Sequence, residues 1–152
     1  MPASVLRPIA IAGLAVGLTS AATAASPASP ITISNAWARP VVAAGMTAAG
    51  YLTVVNRGPF GDRLVGASSP LAARVSLHQS RMVGAMMTMR AVTAIGIPAR
   101  GRADLSPGGY HLMLAGVRRP LASGARIPLT LSFARAGTVR TSLTVRAGGP
   151  TM

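Results

Sequence analysis

The chain has 152 residues, half of them hydrophobic, and its charge of +13 comes from 15 arginines set against two aspartates, with no lysine and no glutamate. That length makes one domain with a modest core. The lack of cysteine excludes disulfides, thiolate nucleophiles, cysteine zinc sites and the cysteine-ligated blue-copper centre of electron-transfer cupredoxins. Two carboxylates and two histidines leave little for paired-carboxylate hydrolysis, a calcium site or a serine triad, no G-x-S-x-G occurs, and an enzyme is not expected.

The first 25 residues differ from the rest. Arg7 precedes the apolar run "IAIAGLAVGL", and Ala22-Thr23-Ala24 supplies small residues at cleavage spacing. That order reads as a secretory signal peptide over 1–25, and the run is short for a membrane span. Residues 26–30 read as a linker, 31–146 as the exported domain and 147–152 as a flexible tail. Export follows as an expectation.

Period-2 alternation and β-branched content then mark nine strands in chain order: 31–38, 48–56, 63–68, 73–80, 86–94, 102–106, 110–117, 126–134 and 138–145. The segments between them, such as "NRGPFGD", "PARG" and "SPGG", carry turn chemistry. No stretch of the domain has a helical period. Short strands at this spacing make an antiparallel sandwich or barrel.

Two strands carry unusual faces. In "ARVSLHQS" Val75 and Leu77 point one way, so Ser76, His78 and Ser80 point the other. "MVGA" (82–85) reads as a hairpin loop, and a turn centred between Val83 and Gly84 sets His78 opposite Met89 and Ser80 opposite Met87. In "YHLMLAGV" Tyr110, Leu112 and Leu114 form the apolar face, leaving His111 and Met113 together on the other. A strand methionine usually packs in a core, and a single histidine is usually structural. Here each histidine has a methionine on its own face, and four methionines fall within 82–89. Imidazole with thioether, without thiolate, is a soft donor set suited to Cu(I). Met82, Met86 and Met87 offer transient holds for extra copper but read first as residues that pack or shield the site; by parity Met87 shares Met89's face and is the better spare ligand. The arginines are scattered singly apart from Arg118-Arg119, and aromatics are few. Neither a nucleic-acid partner nor stable membrane insertion is expected.

These residues resemble a known family. His78, ten residues, Met89, twenty-one residues, His111, one residue, Met113 is similar to the H-x10-M-x21-H-x-M signature of the periplasmic copper chaperones PCu(A)C. "AWARP", "AAGYLTVVN", "DRLVGASSP", "PGGYHLMLAG" and "IPLTLSF" extend the likeness over roughly residues 31–145. The resemblance implies an all-β, cupredoxin-like Greek-key antiparallel β-sandwich of eight to nine strands. It implies one exposed Cu(I) site made of His78, Met89, His111 and Met113. It further implies a chaperone carrying copper toward cytochrome c oxidase, with a Sco-type thiol chaperone and the oxidase copper subunit as partners. Gln79 and Ser80 follow the first histidine where relatives often carry Met or Glu. Copper storage or resistance would use the same donors, and a non-metal exported β-sandwich module would use the arginine surface instead.

Overall fold

The computed structural model describes residues 29–147, and of the residues before them only Gly13. The expected signal peptide lies outside the described residues, as does the tail from residue 148 onward. Among the described residues no helix is long and apolar enough to cross a membrane.

Ten strands form, and no helix accompanies them among the described residues. They are β1 (Ile31–Ala38), β2 (Ala48–Asn56), β3 (Asp62–Ser68), β4 (Ala72–Val83), β5 (Met86–Ala91), β6 (Ile95–Ile97), β7 (Arg102–Leu105), β8 (Tyr110–Val117), β9 (Arg126–Phe133) and β10 (Gly137–Val145). The extra strand is β6. Ile95 and Ile97 bury their side chains and pair with Leu64 and Asp62 of β3. Three residues interrupted by Gly96 offer too little alternation to stand out from the run before them.

The strands follow the order β5-β4-β8-β2-β1-β10-β9-β3-β6, with β7 on β2. An additional pairing of β3 with β4, at Ala67 and Val75, closes seven of them into a barrel-like sheet. The architecture is all-β and cupredoxin-like. Its pairings are antiparallel except one: β1 and β10 run parallel at Trp37 with Thr144 and Ala38 with Val145. Parallel neighbours need a long connection, and here almost the whole domain supplies it.

Closure gives one apolar interior. Leu64, Leu77, Leu112, Leu114, Ile127, Leu129, Leu131 and Leu143 all point into it and are buried. At about 1.5–3 kcal/mol per fully buried aliphatic side chain, this interior is what holds a chain without disulfides together. Asp62 fixes one rim. Its carboxylate accepts the backbone N–H of Arg63 (2.7 Å), Arg135 (2.8 Å) and Ala136 (2.9 Å). Burial pushes this carboxyl up, but those three donors and the Arg135 charge outweigh it and hold the group below its ordinary value.

β4 is longer than its alternation implied. Residues 72–79 pair with β8, whereas 80–83 continue beyond it as a two-stranded ribbon with β5. The β5 side chains are all exposed.

Candidate metal centre

The site stands on three neighbouring strands, β5, β4 and β8, on the face away from the leucine interior. Leu77 and Leu112 pair across β4 and β8 toward the core, so by strand alternation the next rung, His78 with His111, faces outward. The two rings lie 5.8 Å apart, centre to centre, and tilted by 31°. Met113 stands opposite Ser76, one rung along from His111 on the same face.

The β4–β5 register corrects the expected one. The turn is Gly84-Ala85, not one centred between Val83 and Gly84, and Val83 pairs with Met86. Met89 is therefore opposite Ser80, and His78 is opposite Ala91. Gly84 takes φ +62 at the first turn position, a conformation glycine adopts without steric cost and one that a II′ hairpin turn requires. Placing the glycine there moves every pair by two residues. A slip of two preserves faces, so Met89 still shares the face of His78, as its diagonal neighbour at roughly 7–8 Å. The structure thus brings His78, Met89, His111 and Met113 onto one face, with His78 at the centre. A methionine arm with three rotatable bonds can reach across a diagonal.

The four residues are not equally open. His111 is 3% exposed, His78 and Met113 are half-buried, and Met89 is 54% exposed. The outer face of β8 is covered at His111, a depth that alternation alone does not reveal. Tyr51 of β2 lies beside it at 6.4 Å between ring centres, and Trp37 of β1 packs on Tyr51 at 4.7 Å. The Arg146 guanidinium lies over the Trp37 ring, 5.5 Å from its centre. An aromatic wall therefore closes the site on one flank, while the β5 flank stays open.

Hydrogen bonds set the ring orientations. His111 Nδ1 lies 3.2 Å from the Gly109 carbonyl, which can only accept, so Nδ1 carries the proton and Nε2 presents its lone pair. His78 Nε2 lies 3.0 Å from Ser76 Oγ. The other nitrogen of each ring, His78 Nδ1 and His111 Nε2, is buried without a hydrogen-bond partner. Two orphaned imidazole nitrogens on one rung are costly unless something else binds them, and a soft cation fits them. A hydrogen bond at one ring nitrogen, such as those made with Ser76 Oγ and the Gly109 carbonyl, fixes the orientation in which the other nitrogen meets a metal. Ser76 and Gly109 were missed from the sequence; Ser76 was legible as a face-mate of His78, but its hydrogen bond was not.

Burial, then the nearby His111, then Arg74, hold His78 below the ordinary imidazole value of 6.5. Neutral imidazole, the form that binds metal, is thereby favoured. Neither aspartate is free to serve the site. Asp62 is held at the β3 rim, and Asp104 accepts from Thr53 Oγ1 at 2.8 Å and lies 3.4 Å from Arg102.

The fold is that of the PCuAC domains. The chain is similar to the copper-bound PCuAC domain from PmoF2 (TM-score 0.64, 28% identity, covering 78% of this chain and 94% of that one). It is also similar to apo-DR1885 from Deinococcus radiodurans (TM-score 0.58, 31% identity, covering 97% and 95%). The Cu(I) form of DR1885 matches with TM-score 0.57 and 30% identity over 84% of each chain. The family described as "Putative lipoprotein LpqE-like" matches residues 31–145, and the chain belongs to it. The "Putative lipoprotein Lxx21020" of Leifsonia xyli subsp. xyli (strain CTCB07) is 34% identical over 150 residues, covering 93% of this chain and 89% of that protein.

Proposed function

We propose that this protein is an exported, non-enzymatic Cu(I) carrier whose cargo is held by His78, Met89, His111 and Met113. The observation that carries the reading is the pair of buried, unpartnered imidazole nitrogens on one rung, flanked by two thioethers on the same face. The copper-bound state of the similar PmoF2 and DR1885 proteins supports the metal. All four donors are neutral, so the ion keeps its positive charge, which moderates affinity and eases release to a thiolate acceptor. Cytochrome c oxidase copper-site assembly through a Sco-type thiol partner is the proposed destination. A donor this cationic, with fourteen arginines against two aspartates once Arg7 leaves with the signal peptide, docks best on an acidic acceptor. Export to the periplasm through the N-terminal signal peptide is part of the same proposal, supported by the lipoprotein description of the relatives.

Anaerobic Cu(I) titration with an X-ray absorption readout tests the donor set. The wild type should show mixed nitrogen and sulfur ligation at its tightest equivalent, and His78→Ala and Met113→Ala should each lose that equivalent while the β fold persists. A tight equivalent retained in both variants refutes the four-ligand site.

A further inference from the structure

Beyond the four donors, the same face continues outward along the β4–β5 ribbon. Its rungs run from His78 and Ala91, to Ser80 and Met89, to Met82 and Met87. The last rung is a directly opposed methionine pair, whose Cβ atoms in such a position lie about 4.5–5.5 Å apart. Met87 and Met89 are two apart on β5, so both sulfur atoms rise from one side of one strand.

These three side chains cover no core. Met82 is 59% exposed, Met87 55% and Met89 54%. The ribbon carrying them has left the barrel, since β4 stops pairing with β8 at Gln79. Water-exposed thioethers on a protruding ribbon gain little from burial, so packing does not account for them. Met86 is 71% exposed but pairs with Val83, on the opposite face of the ribbon. The side-chain period thus separates three methionines facing the site from one facing away.

We infer that Met82, Met87 and Met89 form a second, weaker Cu(I) site, built of thioethers alone, at the outer end of the ribbon. Three soft neutral sulfur donors, with no carboxylate or imidazole among them, suit Cu(I) and little else. Met89 is common to both sites, so an incoming ion held by the outer three has only to exchange Met82 and Met87 for the histidines and Met113 to pass inward, and a second ion arriving behind it is held by the opposed pair Met82 and Met87 alone. The outer site is thus an entry and exit step on the open flank, opposite the aromatic wall of Tyr51 and Trp37.

This assignment rests on the copper reading above, and its test separates the two. The full chain is titrated anaerobically with Cu(I), following the methionine methyl resonances by NMR after 13C labelling. The first equivalent should shift Met113 and Met89, and the second should shift Met82 and Met87 and leave Met86 unmoved. Met82→Leu/Met87→Leu, which keeps apolar bulk and removes sulfur, should lose the second equivalent, retain the first, and slow copper transfer to a competing chelator at least several-fold. Met86→Leu should behave as wild type. A single equivalent in the wild type, or a second one surviving in the double variant, overturns the outer site and leaves the inner one standing. If no Cu(I) binds at all, both fall.

Discussion

Replacing His111 with leucine should raise the stability of the copper-free protein while abolishing tight copper binding. His111 is 3% exposed, and its Nε2 is buried with no partner. An orphaned buried polar atom costs about 1–3 kcal/mol. The substitution removes that atom and also breaks the Nδ1 contact to the Gly109 carbonyl, a loss of about 0.5–1.5 kcal/mol. The carbonyl is not stranded, because it also accepts the Ser80 N–H at 3.0 Å. Leucine has similar bulk and sits beside Tyr51 on an already covered face. The balance runs from about −0.5 to +2.5 kcal/mol for His111→Leu, a gain of about 1 kcal/mol at mid-range, where an average substitution costs about 1 kcal/mol. With copper the order reverses. Free Cu(I) at about 100 times the dissociation constant stabilises the wild type by about 2.7 kcal/mol, and the variant gains almost nothing. Chemical denaturation, run once with a Cu(I) chelator and once with buffered Cu(I), measures both terms. A copper-free variant destabilised by more than about 0.5 kcal/mol, the most that losing the hydrogen bond can leave once the orphaned atom is gone, would make His111 a structural residue. Unchanged copper stabilisation would remove it from the ligand set.

Two other outcomes follow from the titrating groups. His78 has a folded-state value below 6.5, so as the pH drops below that point the unfolded chain takes up the proton first. Its contribution to copper-free stability is therefore complete above about 6.5 and declines below it, until His78 protonates in the folded state. Denaturation curves between pH 7.5 and 5 should slope accordingly, and His78→Ala should flatten that slope; equal slopes would contradict the assignment. Asp62, also held below its ordinary value, contributes stability that is present above its unfolded value of 3.8 and lost as pH falls through the lower folded one. Asp62→Asn turns an amide donor toward backbone N–H groups and should cost about 1–3 kcal/mol at neutral pH, with copper affinity unaltered. An Asp62→Asn protein as stable as wild type in thermal unfolding would show that the β3 rim does not need the carboxylate.

Much of the candidate site was legible because strand alternation is a local property. Whether His78 shares a face with Ser76 and Ser80, or His111 with Met113, depends only on the backbone period of two, which the sequence displays directly. The same logic kept Met89 on the face of His78 when the turn proved to be Gly84-Ala85, because the correction was two residues and not one. The exact partner was not legible. Pairing hinges on which residue takes the positive φ, and "VGAM" allows more than one turn until the ribbon's twist and the neighbouring strands choose.

The donor types, their faces, the all-β class and the lack of hard ligands were thus determined by the sequence alone, since each follows from residue identity or nearest-neighbour geometry. Which strands lie side by side was decided only by the tertiary structure. Residues 78 and 111 meet because β4 and β8 pair within a closed sheet, an arrangement set by burying many leucines at once and not by any local pattern. Closure also brought Tyr51, backed by Trp37, beside His111 on the outer face of β8, where His111 is buried. Burial is a cooperative outcome of the whole fold, and it is burial that makes the unpartnered nitrogens costly enough to mark the site.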